Sequence, residues 1–172
     1  MIFHNLSNYD AHIIFQYIYK INSDKGTKVI AKSLEKYLAF FIGTLHFKDS
    51  YLFLNTSLEK LVANLKAKGR KEENMEILFK HTLAYFQEKW KHLSMDAFEM
   101  LTRKGIYPYE YMSSIDRFRE TQLPPKEAYY NEITMKHISI DEYKFAHLIF
   151  NTFQLKNLGE LHDLYMETDV FL

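Results

Sequence analysis

Two short motifs near the ends of the chain each set a phenol and a carboxylate at a defined spacing: Asn5-Leu6-Ser7-Asn8-Tyr9-Asp10 and Tyr165-Met166-Glu167-Thr168-Asp169. Hard divalent cations take oxygen ligands, and an acidic pair drawn from distant segments is what a shared two-cation site needs. On a helix Tyr165 and Asp169, four apart, project from one face together with Leu161 and Leu172. A carboxylate flanked by apolar residues on an inward face is costly to bury alone. Asp169 therefore calls for a cation, an Arg or Lys, or several donors. The plainer alternatives are a partly exposed Asp beside a core Tyr, and for Asp10 a helix cap or dipole partner. Each motif is weak alone, and only the pair points to one site.

The elements that must position them follow from periodicity and punctuation. Ile2-Phe3-His4 reads as a short buried strand, and a helix is expected from Asp10 to about Lys20 with Ile14, Tyr17 and Ile18 on one face. Asn22-Ser23-Asp24-Lys25-Gly26 reads as a turn. Residues 27–30 and 38–47 are β-branched and aromatic and read as strands, with Asp49-Ser50 interrupting before the apolar run 51–54. Ser57 is placed to cap a helix through Lys66, on which Leu58, Leu61, Val62 and Leu65 make the apolar stripe. Residues 73–93 are expected to be helical, ending near Ser94. Residues 103–125 hold all three prolines and are expected to be extended and looped. Ser139-Ile140-Asp141-Glu142 is a capping box opening a helix to about Phe153, and Asn157 with Glu160 repeats it for the terminal helix. Strands early and helices late indicate an α/β or α+β domain with a helix-rich C-terminal half.

At 172 residues the chain has the length of about one domain. Lys plus Arg and Asp plus Glu both number 22, so net charge gives no indication of a polyanionic partner. No cysteine is present, which excludes disulfides and thiolate zinc sites and suits an intracellular protein. Aromatic residues make up 16%, which argues against disorder. No apolar run approaches the roughly 18 residues of a membrane span, and no signal peptide is evident at the start, so no membrane role is expected. Basic residues concentrate between Lys60 and Lys71, at Lys66, Lys68, Arg70 and Lys71. They read either as a solvated helix end or as a track for a phosphate backbone. The first residues form part of a strand and the last helix has no stop signal, so the chain reads as part of a longer protein.

Together these motifs resemble a known family. Phe3-His4-Asn5-Leu6 followed by Tyr9-Asp10-Ala11-His12 resembles the second exonuclease motif of family B DNA polymerases, and Tyr165-x3-Asp169 resembles their third. Thr56-Ser57-Leu58-Glu59-Lys60-Leu61 looks like the Ser/Thr-Leu-x-x-hydrophobic motif of the protein-primed branch. Lys104-Gly105-Ile106-Tyr107 is similar to that branch's Lys-x-x-hydrophobic motif. The longer phrases 101–111 and 123–128 look like polymerases of viruses, linear plasmids and large DNA transposons. The four motifs occur in the family's order across nearly the whole chain.

The resemblance implies a ribonuclease H-like 3′–5′ proofreading domain that hydrolyses the terminal phosphodiester with two Mg2+ (or Mn2+) ions. Residues 1–172 would then be a single partial exonuclease domain of a larger DNA polymerase. Asp10 and Asp169 would be the metal-ligating carboxylates, Tyr165 would orient the attacking water, and Lys104 would lie near the scissile phosphate. Asn5, Tyr9, Ser57 and Leu58 would hold the single-stranded 3′ end by hydrogen bonds and stacking. DNA is the implied partner, with a terminal protein primer a further partner of the parent.

One departure matters. The family's first exonuclease motif is an Asp-x-Glu pair on a preceding strand, and no Asp-x-Glu occurs here. The expected domain therefore lacks its first strand or hairpin, and the isolated chain is expected to be inactive. The rival readings are a non-catalytic mobile-element remnant that binds single-stranded DNA and a stand-alone 3′–5′ exonuclease. The location is open beyond intracellular, the nucleus included for a eukaryotic element.

Overall fold

The computed structural model describes residues 1–8, 10–21, 26–33, 37–72 and 75–171, with backbone only for 19, 21 and 68–72. The expected turn at 22–25, Tyr9, Leu172 and the side chains of Lys68, Arg70 and Lys71 lie outside the described residues. The chain is α/β and divides into two compact units, Met1–Leu61 and Val62–Leu172.

In the first unit the sequence expected to form one strand over 38–47 instead forms a hairpin. β3 (Tyr37–Ile42) and β4 (Leu45–Asp49) pair antiparallel around Gly43-Thr44, with Ile42 opposite Leu45 and Phe40 opposite Phe47. Gly43 takes φ 58°, a left-handed conformation that its missing Cβ makes accessible. The strand-forming residues on both sides of Gly43-Thr44 make this turn easy to read through as one strand. β1 (Ile2–Phe3) lies parallel to β4 and β2 (Thr27–Ala31) antiparallel to β3, giving a mixed sheet in the order β1-β4-β3-β2.

α1 (Asp10–Ile21) covers one face of this sheet. Phe15 meets Phe40 at a ring distance of 4.7 Å, and Phe40 stacks on Phe47 at 4.5 Å. Leu6, Ala11, Ile14 and Ile18 complete the apolar cluster. Tyr17 is instead about half exposed, because Ala11, Ile14, Phe15 and Ile18 already form the helix stripe. Ile2 is also exposed, since β1 is an edge strand and alternate side chains leave the packed face. The run 51–54 is a 3-10 turn, Ser50–Leu52, followed by exposed residues. α2 (Leu58–Glu72) starts after Ser57, whose Oγ accepts the Lys60 N–H at 3.4 Å.

The second unit is helical. Its remaining helices are α3 (Met75–Leu78), α4 (Lys80–Lys89), α5 (Met95–Leu101), α6 (Ile140–Thr152) and α7 (Leu158–Phe171). Phe79, Leu83, Phe86, Phe98, Leu101, Phe153 and Leu158 are buried in one apolar cluster with Leu161 and Leu164 of α7. Residues 73–93 are thus not one helix. The chain leaves helical geometry at the buried Phe79 and again at Trp90, whose ring meets Phe153 edge-on. Ser94 starts α5, accepting the Ala97 N–H, where a helix end had been expected.

Residues 103–125 form the expected irregular connection, and specific bonds hold it. Tyr111 donates to Glu120 and receives Arg117, which also pairs with Glu120 at 2.6 Å. The Leu158 N–H donates to the Glu120 carbonyl, joining this loop to the start of α7. The capping box at α6 is complete: Ser139 Oγ accepts the Glu142 N–H and Glu142 accepts the Ser139 N–H. At α7, Asn157 accepts the Glu160 N–H, but Glu160 reaches back one residue further, to the Lys156 N–H.

The capping box makes a quantitative prediction. Bonding to Ser139 holds the Glu142 carboxyl below the ordinary glutamate range. Its stabilising effect is therefore complete above the unfolded pKa of about 4.3 and is lost as pH falls through the lower folded value. Ser139→Ala should lower stability by about 1 kcal/mol at neutral pH, with a smaller difference in acid, as read by urea denaturation. Equal stability of the two proteins at neutral pH would refute this.

Candidate functional site

In the second unit, α7 presents His162, Tyr165 and Asp169 at spacings of three and four, while Leu161, Leu164 and Thr168 turn into the core. The loop following α5 lies across this stripe. Gly105 is its closest point: a Cβ built there would fall 2.7 Å from Tyr165 Cδ2 and 2.8 Å from Cε2, a contact no side chain could make without displacing the ring. Tyr107 stacks on Tyr165 at 4.8 Å, and its hydroxyl lies 2.7 Å from His162 Nδ1. Tyr109 meets the same ring edge-on, and its hydroxyl is hydrogen-bonded to that of Tyr165.

The Asp169 carboxyl follows one turn later on the same helix face and interacts electrostatically with the Tyr165 phenol. The Tyr109 and Tyr165 hydroxyls share one hydrogen bond, in which either can donate. Burial first, and then its neighbours Tyr109 and Asp169, push the Tyr165 phenol well above the ordinary tyrosine range. Loss of water raises the Asp169 carboxyl, against the opposing effects of the Tyr165 phenol and the Lys104 charge. Asp169 is nonetheless exposed as a residue, and part of its side chain borders a small cavity of about 40 Å3 with Arg103, Ile106, Phe145 and Tyr165. Lys104 is solvent-exposed, next to Arg103, whose guanidinium lies 3.8 Å from the centre of the Phe145 ring.

The loop that carries Lys104 thus meets the Tyr165–Asp169 face through Gly105 and Tyr107, and the Lys104 charge acts on Asp169 without an ion-pair contact. Tyr107, Tyr109, Gly105 and His162 belong to the same cluster and had been assigned no role. Their legible signals were the Tyr-Pro-Tyr spacing after Lys104 and the i−3 spacing of His162 to Tyr165.

In the first unit, Asp10 is the half-buried first residue of α1, where a carboxylate favours the positive helix terminus. Asn5 adopts φ 71°, and its Oδ1 accepts from the Asn8 amide at 2.6 Å. Ser57 is exposed and Leu58 is half-buried at the start of α2. Of the basic stretch, Lys66 is not a free phosphate contact: it pairs with Glu99 at 3.1 Å and donates to Thr102, leaving its side chain 19% exposed.

Asp10 and Asp169 are each described within their own unit. Within the second unit the donor set is one carboxylate with a lysine charge beside it, which is too few oxygens for a pair of divalent ions. Among the described residues no three His, Cys, Asp or Glu side chains are gathered to hold a metal. No helix among the described residues is long and apolar enough to cross a membrane. Comparison of the chain with protein-family models, curated proteins and solved structures returns no match.

The electrostatics of this cluster can be tested directly. Lys104 and Tyr165 both favour the ionised form of Asp169, so removing either should raise its pKa. Carboxyl-carbon NMR titration should show the Asp169 midpoint moving upward in Lys104→Ala and in Tyr165→Phe. A midpoint unmoved by both substitutions would dissolve the cluster as an electrostatic unit.

Proposed function

We propose that the chain is the 3′–5′ exonuclease portion of a protein-primed family B DNA polymerase, with a ribonuclease H-like fold of which part of the acidic set lies outside these residues. The supporting observation is the meeting of two motifs distant in sequence, Lys104-Gly105-Ile106-Tyr107 and Tyr165-x3-Asp169, on one surface of the second unit. In this reading Tyr165, held by Tyr109 and aimed by Asp169, orients a water at the end of a DNA strand. Lys104 supplies positive charge where negative charge develops on phosphate. Asn5, Tyr9, Ser57 and Leu58 contact the single-stranded 3′ end, Tyr9 and Leu58 through base faces and the others through hydrogen bonds. Asp10 and Asp169 serve as cation ligands only alongside further carboxylates, such as an Asp-x-Glu pair on a preceding segment.

The short donor set favours a second reading, a non-catalytic remnant that binds single-stranded DNA. One experiment separates the two. Residues 1–172 are assayed for 3′-end degradation of a labelled single strand with magnesium or manganese, beside a chain extended upstream through an Asp-x-Glu. The extended chain should digest DNA and residues 1–172 should not. In the extended chain Asp169→Ala should abolish digestion, and Tyr165→Phe should slow it about 10- to 100-fold, the loss expected for a group that orients a reacting partner. Digestion by residues 1–172 would refute this account of the ligand set, and an inactive extended chain would favour the remnant.

A further inference from the structure

The first unit contains a buried carboxylate that none of the motifs uses. Asp49, at the end of β4, is 2% exposed. It accepts the Asn5 N–H at 2.9 Å, the Ser7 N–H at 3.0 Å and the Tyr51 N–H at 2.9 Å. These amides replace the lost hydration with charge-assisted hydrogen bonds and hold the carboxyl below its ordinary range despite burial. Two of them flank Leu6, so the carboxylate grips the backbone on either side of a buried side chain. Between them the chain must turn, and Asn5 does so at φ 71°, a left-handed conformation that asparagine tolerates better than most residues with a Cβ.

The neighbouring residue extends the grip. Ser50 Oγ donates to the Phe3 carbonyl at 3.0 Å and lies 3.0 Å from His4 Nδ1. His4 Nε2 donates to the Thr56 carbonyl at 2.8 Å, immediately before Ser57-Leu58. The turn carrying Asn5 is therefore fastened to Asp49, and the start of α2 to His4, which in turn lies against Ser50.

We propose that Asp49, with Ser50 and His4, is a positioning clamp that sets the spacing and orientation of Asn5 relative to Ser57-Leu58, so that both segments meet one single-stranded DNA end. The clamp rests on the single-strand-binding reading above. Asp49 does not touch the DNA; it acts through the Asn5 backbone. Asp49→Asn keeps the shape but replaces one acceptor with an N–H2 that faces backbone donors.

The test is a double-mutant cycle on residues 1–172, with Asp49→Asn and Asn5→Gly, chosen because glycine adopts φ 71° freely. Anisotropy of a short 5′-labelled oligothymidylate reads affinity, and far-UV circular dichroism confirms equal folding. Asp49→Asn should weaken binding about tenfold, the effect of leaving a buried donor without its acceptor. In the Asn5→Gly background the same change should cost little further, because its route to the DNA is already gone. Full and additive losses in both backgrounds would overturn the clamp, as would unchanged affinity in Asp49→Asn.

Should Asp49→Asn fail to fold, NMR of the unaltered chain decides. Slow exchange of the Asn5 and Ser7 amides, with Asp49 titrating below the ordinary aspartate range, supports the clamp. Fast exchange at both amides, or titration at or above that range, overturns it. If the amides are protected but the unaltered chain does not bind the oligonucleotide, the DNA assignment falls and the proposal falls with it.

Discussion

A carboxylate that loses water depends on the donors that replace it, and two aspartates in this chain are supplied very differently. Asp49 is enclosed by three backbone N–H groups, stays ionised, and in doing so fixes the path of residues 3–7. That path decides where the turn before α1 lies and, through Ser50 and His4, how α2 begins. Asp169 has one phenol and one lysine charge to offset its partial loss of water, and its carboxyl is pushed upward. The first arrangement is well supplied with donors and 2% exposed. The second is under-supplied, which is the condition of a group able to take another partner.

Aromatic side chains do much of the remaining work, and differently in the two units. In the first unit Phe15, Phe40 and Phe47 form a dry contact between helix and sheet, and their value lies in removing apolar surface from water. In the second, the rings of Tyr107, Tyr109 and Tyr165 pack together while their hydroxyls make two separate hydrogen bonds, Tyr107 with His162 and Tyr109 with Tyr165. Rings stacked in this way lose little entropy on ordering, so the phenol oxygens are held where flexible side chains would wander. Gly105 is what lets the loop lie flat on the Tyr165 ring.

The functional reading draws on both units, Asp10 coming from the first and Asp169 from the second. Its sequence basis is the order of four motifs, and its structural support is the contact of two of them in the second unit. In the first unit, the segments that carry Asn5 and Ser57 share one set of hydrogen bonds. The withdrawal of Lys66 into an ion pair narrows the basic stretch as a phosphate track to residues beyond it.

What the sequence determined by itself was local. Ser57, Ser139 and Asn157 marked helix starts because a cap bonds to an N–H only three residues away. Tyr165 and Asp169 could be placed on one face because helical geometry alone aligns positions four apart. The strand at 27–30 and the irregular run after Arg103 were legible for similar reasons of side-chain shape and proline content. The hairpin turn at Gly43 was also local, but the β-branched and aromatic residues on either side of Gly43-Thr44 read as one strand. The interruption at Phe79, the ion pair of Lys66, the burial of Asp49 and the laying of the Lys104 loop along α7 were decided only by tertiary structure. Each depends on which side chains of distant segments meet, and a residue's own periodicity does not contain that information. A helix yields to a core that wants its phenylalanine, and an aspartate becomes a structural hub only once the fold delivers three amides to it.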